Sequence, residues 1–267
     1  MIDAFQFAFM QRALIAGVLI GVLCAVVGTY VVHKGLSFMG AGIAHASFGG
    51  VALGVWLGVQ PVLAAMVFCL LVAWSIAWLS LRTQVREDTA IGIFFASTMA
   101  LGILVIGLIQ GYRQDLFGYL FGSILSVSPA DLWIIAACTA LVLGLLWLFG
   151  KELLFVIFDA EAASVSGLPA TRLYFLLITL VTVTIVVSIK VVGIVLVSAL
   201  LITPAAAASQ LSDRFGRIML AAAAISVAST LAGLLLSYWW DTASGATIVM
   251  VVTLLFVVAS GLARMRR

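Results

Sequence analysis

Nine stretches of this chain are each long and apolar enough, or nearly so, to cross a lipid bilayer, and no other feature restricts its possible folds so severely. A membrane helix needs about 20 mostly apolar residues with its polar groups at the ends. Such runs lie at about 12–32, 37–58, 61–81, 89–109, 130–149, 173–189, 193–208, 218–238 and 245–262. The seventh is short and carries Pro204, which predicts a bent or partly spanning segment. A soluble core is excluded by composition. The chain is 65% hydrophobic and 9% charged, against about half apolar and a quarter charged for an ordinary soluble domain. Lipid must cover the surplus, and a chain in lipid must satisfy its own backbone hydrogen bonds. The expected fold is therefore an all-α integral membrane protein, one polytopic bundle of eight to nine transmembrane helices over residues 1–267. The first run is too long for a signal peptide and lacks a clear small-residue cleavage site, so it is expected to remain as a span.

Basic residues orient the bundle. With the N-terminus outside and the spans alternating, Lys34, Arg82, Arg86, Lys151, Arg172, Arg214, Arg217, Arg264, Arg266 and Arg267 fall on the inner side. Only Arg12, Arg113 and Lys190 fall outside. The positive-inside rule thus predicts an external N-terminus and a cytoplasmic C-terminus in a plasma membrane. The same scatter argues against nucleic acid as a partner, because no stretch combines dense Lys and Arg with stacking aromatics. Cys24, Cys69 and Cys138 lie far apart in apolar runs, without metal-site or disulfide spacing.

Two connections are longer than turns. The outer stretch 111–128 is aromatic and glycine-punctuated, which suits an interfacial or re-entrant segment. The inner stretch 151–172 mixes acidic and small residues and contains Gly167 and Pro169. It is long enough to form a short helix that docks on a soluble partner. Within it, Asp159 and Glu161 have the spacing of an N-cap and a first-turn acid.

Ionisable residues inside a membrane are costly and usually functional. All ten acids fall in loops or at span ends, which disfavours a carboxylate-coupled secondary transporter. His45 is the one titratable side chain well inside a span. It sits in the small-residue stretch 40–50, for which two readings stand. In one, Gly, Ala and Ser allow close helix packing and the imidazole bonds across the interface. In the other, His45 lines a pathway as a ligand for a divalent cation. No GxxxxGK[ST] loop is present, so ATP-driven transport requires an ATPase on another polypeptide.

Four segments together resemble the permease subunits of the ABC importers for zinc, manganese and iron over essentially the whole chain. Gly28-Thr29-Tyr30-Val31-Val32 followed by Lys34 is similar to the end of that family's first span. His45-Ala46 with Gly50-Val51-Ala52-Leu53-Gly54 resembles its SHAxxxGVALG signature. Asp159, Glu161, Ala163 and Gly167 match its cytoplasmic DxExAxxxG element, and 190–206, with Ser198, Thr203 and Pro204, resembles its VGxxLVxALLxxPAA segment.

The resemblance implies a prokaryotic, homodimeric permease without catalytic residues or a permanently bound cofactor. A separate ABC ATPase lies below it, an extracytoplasmic solute-binding protein above it, and its cargo is zinc, manganese or iron. It also implies that Asp159–Gly167 is the ATPase-coupling element. Two departures are visible: many family members carry an Asp four residues before the His, where this chain has Ala41, and a frequent Pro is Gly49. An importer of a metal chelate, and a stand-alone secondary transporter, remain the alternatives.

Overall fold

The computed structural model describes residues 8–109 and 127–265, and among these the chain is helical without strands. The helices are α1 (Ala8–Lys34), α2 (Ser37–Trp56), α3 (Pro61–Arg82), α4 (Glu87–Leu108), α5 (Pro129–Phe158), α6 (Ala160–Val165), α7 (Ala170–Ser209), α8 (Phe215–Trp240) and α9 (Ser244–Met265). All but the six-residue α6 are long and apolar enough to cross a membrane. The stretch 111–128, read as an interfacial or re-entrant segment, lies outside the described residues except for its last two members, Val127 and Ser128.

Local chemistry sets the helix ends. Pro61 opens α3 and Pro129 opens α5, at first-turn positions where a missing N–H costs no helical bond. Ser128 and Asp131 cap α5 reciprocally: the Asp131 N–H donates to the Ser128 hydroxyl and the Ser128 N–H donates to the Asp131 carboxylate.

Side-chain contacts sort the helix ends into two groups. At one end, Tyr30 and His33 of α1 meet Phe215 at the start of α8, and His33 also meets Phe158 at the end of α5. Tyr174, early in α7, donates to Glu87 at the start of α4 across 2.6 Å. This is the Lys34 end. At the opposite end, Lys190 pairs with Asp131 at the start of α5.

The 40-residue α7 would be about 60 Å long if straight, twice the hydrocarbon thickness. It turns back instead. Gly193 has φ 80° and ψ 168°, a conformation that L side chains rarely adopt, and it breaks the helix. The chain passes from Tyr174 at the Lys34 end to Lys190 at the other. It then returns, placing Leu201 against Gly28 of α1 and Gly40 of α2. The sixth and seventh apolar runs of the sequence are thus two antiparallel limbs of one helical element. This is why nine runs become eight long helices while the start of α1 and the end of α9 still lie on opposite sides. The return limb, from Ile194 to Ser209, is about 24 Å long, short for a span.

Among the described residues, Lys34, Arg82, Arg86, Lys151, Arg172, Arg214, Arg217 and Arg264 belong to the Lys34 end, and only Arg12 and Lys190 to the other. Helices α1, α2 and α7 form the buried centre. Helices α3, α4, α5 and α9 ring it and turn large apolar side chains outward, among them Trp78 and Trp147. In a lipid solvent such exposure carries no hydrophobic penalty.

Candidate transport pathway and coupling element

Helix α2 owes its close neighbours to its glycines. A Cβ on Gly50 would stand 2.6 Å from the Ala65 Cα in α3, and one on Gly49 would stand 2.7 Å from the Thr98 carbonyl oxygen in α4. The small-residue stretch is therefore a packing device, as the first reading of the sequence had it. His45 itself does not join that packing by a bond across the interface. It is part-buried on the side of α2 that also packs on α4, edge-on to Phe95 of α4 with ring centroids 4.9 Å apart.

Its hydrogen bond stays within its own helix. His45 Nδ1 lies 2.8 Å from the Ala41 carbonyl oxygen. A carbonyl only accepts, so Nδ1 carries the proton. In the neutral ring the lone pair then rests on Nε2, the arrangement in which an imidazole binds a metal. Among the described residues Nε2 has no hydrogen-bond partner. His45 is the ninth residue of the twenty in α2, so it lies near mid-membrane depth. Among the described residues no three His, Cys, Asp or Glu side chains come together as a metal cluster. His45 is thus a candidate ligand without such a cluster around it among the described residues.

The return limb of α7 lies beside this face. Val195 is exposed, and Ser198, Ala199, Ile202 and Ala206 are partly exposed, at the spacing of one helical stripe. The Ser198 hydroxyl donates to the Ile194 carbonyl at 3.0 Å. Thr203 is part-buried beside the stripe, and Pro204 is buried in the core. Of the three segment residues taken from the sequence, Ser198 alone lies on the stripe; Pro204 serves packing.

The coupling residues come together at the Lys34 end. Helix α5 runs on to Phe158, so 151–158 is helical, and α7 already begins at Ala170. The connection is therefore shorter than 151–172, because a 30-residue helix of about 45 Å outreaches the membrane. Asp159 Oδ1 accepts the Ala162 N–H at 2.8 Å and caps α6. Ala163 is fully buried beneath α6. Its carbonyl accepts the Leu168 N–H at 3.0 Å, and the turn this closes requires φ +86° at Gly167. Glu161 is exposed, as is Phe158, and Val165 is 90% exposed. Together Phe158 and Val165 leave an uncovered apolar tip beside α6. A groove of about 260 Å³ beside it is lined in part by Lys34, Glu87, Glu161, Ser164 and Tyr174.

Sequence reasoning missed two links. Tyr174 to Glu87 joins α7 to α4 and left no sequence signal. Lys190 to Asp131 joins the α7 reversal to α5; a lone Lys between apolar runs and the Ser128–Asp131 cap spacing were its traces.

Comparison with known proteins agrees with this architecture. Residues 6–263 match the model of the ABC 3 transport family. The chain is 38% identical over 254 residues to the manganese transport system membrane protein MntC of Halalkalibacterium halodurans, covering 95% of this chain and 87% of that one. It is 34% identical to the high-affinity zinc uptake system membrane protein ZnuB of Haemophilus influenzae, covering 95% and 97%. Among solved structures, PsaBC from Streptococcus pneumoniae in complex with Fab superposes with a TM-score of 0.87 at 34% identity, covering 100% of this chain and 98% of that one. With the family model matched over residues 6–263, the chain belongs to the ABC 3 transport family.

Proposed function

We propose that this chain is the membrane subunit of an ATP-driven importer for a divalent transition metal, and that His45 meets the cargo. The observation that carries the reading is the free Nε2 of His45 at mid-depth of α2, on a face its own protomer leaves partly uncovered. A second copy of the chain covers that face and brings a second imidazole to the same pathway. The uncovered stripe from Val195 to Ala206 supports this homodimer. Imidazole suits zinc, manganese and iron alike, and relatives named for manganese and for zinc are about equally similar.

ATP hydrolysis belongs to a separate subunit that docks on Val165 and Glu161, and a solute-binding protein delivers cargo at the Lys190 end. The Lys34 end and the C-terminus face the cytoplasm and the N-terminus faces outside, a reading supported by the sorting of the basic residues. ATP turnover at α6 biases two arrangements of the bundle, which expose the pathway alternately to the two sides. The permease makes and breaks no covalent bond.

Uptake of radioactive manganese(II), zinc(II) and iron(II) tests this in cells that express the chain with or without its ATPase. Metal accumulation that requires the ATPase is the expected result. Accumulation driven by an ion gradient without it would establish a secondary transporter instead.

A further inference from the structure

Below His45, toward the Lys34 end, an open cavity of about 600 Å³ is lined by Gly35, Ser37, Phe38, Ala41, Asp88 and Ile202. Ala41 is one helical turn from His45 and its carbonyl holds the imidazole proton. The cavity therefore begins where the proposed ligand ends and opens at the basic end of the bundle. Among the described residues Asp88 is the only charged side chain that lines it. Asp88 is exposed in the first turn of α4, and among the described residues its carboxylate forms no ion pair or hydrogen bond.

We propose that Asp88 is the exit-pathway carboxylate that receives the hydrated divalent cation released by His45 and passes it through this cavity to the Lys34 end. The inference rests on the import reading given above.

Electrostatics requires an anion here. A cation leaving His45 approaches the first turns of α2 and α4, and neither helix start is capped by a side chain. Each helix start carries the equivalent of about half a positive charge. The Lys34 end adds Arg82 and Arg86. One carboxylate facing the cavity offsets that field along the route, and outer-sphere contact through water is enough to hold a hydrated cation briefly.

The position of Asp88 is tied to the coupling element. Its neighbour Glu87 accepts the Tyr174 hydroxyl at 2.6 Å, and the Lys34 ammonium stands 5.8 Å from the centre of the Tyr174 ring. Glu87 and Tyr174 line the groove that Glu161 and Ser164 of α6 also line. Successive residues of α4 thus face the coupling helix and the cargo cavity, so displacement of α6 shifts the exit carboxylate.

The test is manganese(II) uptake in cells that lack their own manganese importers and express the full chain with its ATPase. Asp88→Asn keeps the size and first-turn compatibility of the side chain and removes only its charge. Maximal uptake is expected to fall about ten-fold with the half-saturating concentration unchanged, because the loss acts after cargo has entered. Membrane yield and ATPase co-purification should match the unsubstituted chain. Asp88→Glu is expected to retain uptake. Adding Ala41→Asp to Asp88→Asn returns a carboxylate to the same cavity and should restore much of the loss. Unchanged uptake in Asp88→Asn overturns the inference, and so does a loss that neither Asp88→Glu nor Ala41→Asp repairs, which would make Asp88 a structural helix-end acid. If the unsubstituted chain carries no manganese, zinc or iron, the import reading itself falls, and this inference with it.

Discussion

At the scale of the residue, the proposed role of His45 rests on where its proton sits. His45 spends its proton on Ala41 of its own helix and keeps Nε2 free, which the proposed ligand role requires. His45→Asn and His45→Leu are both expected to reach the membrane at normal yield, because no bond between helices is lost. Both should lower metal uptake about 10–100-fold, the usual cost of disturbing a metal site. Full uptake by His45→Asn would end the ligand assignment. Gly28 shows the opposite kind of dependence. A Cβ there would overlap the Leu201 carbonyl oxygen, which is rigid helix backbone. Gly28→Val is therefore expected to destabilise the bundle by about 3 kcal/mol or more, seen as a lower unfolding temperature in detergent and a poor membrane yield. A Gly28→Val variant of ordinary stability would show that the return limb does not pack against α1.

At the scale of the element, the proposed coupling role falls on α6 and the start of α7. Val165 is uncovered and Glu161 faces the groove, while Ala163 anchors α6 from below. Glu161→Lys should abolish or weaken co-purification of the ATPase while leaving the bundle folded, since the side chain lies outside the lipid and charge reversal at a docking surface is poorly tolerated. Gly167→Val forces a β-branched side chain into φ +86°, at a cost of about 1–3 kcal/mol that α6 can avoid only by shifting. The same loss of coupling is expected. Normal transport in both variants would remove α6 from the mechanism. Tyr174→Phe deletes the bond to Glu87, about 1.5–3 kcal/mol for a hydrogen bond to a charged group. It should slow transport per ATP hydrolysed more than it lowers stability. Equal loss of both would mark the bond as structural only.

For the whole molecule, the reversal at Gly193 fixes the parity of the topology. With it, the start of α1 and the end of α9 lie on opposite sides; without it, they would lie on the same side. In a cysteine-free background, Gln60→Cys is expected to react with a membrane-impermeant thiol reagent added to intact cells, and Arg264→Cys only after the membrane is opened. Labelling of Arg264→Cys in intact cells would invert the bundle. Much of this molecule was written in its hydropathy. Apolar runs of spanning length forced a helical bundle, because lipid offers the backbone no hydrogen bonds. The Asp159 to Gly167 spacing announced a capped helix, because capping is local chemistry that needs no distant partner. Basic residues told the two ends apart for the same reason, each acting singly on the membrane. Other features needed distant residues to meet. Only the tertiary structure decided that the glycines of α2 serve packing on α3 and α4 while His45 keeps Nε2 unpaired. It alone brought Tyr174 to Glu87, and Asp88 into one cavity with Ala41, over separations of 87 and 47 positions in the chain. Helical periodicity records which face of a helix is apolar, and in a chain apolar on every face it records almost nothing about which neighbour each face meets.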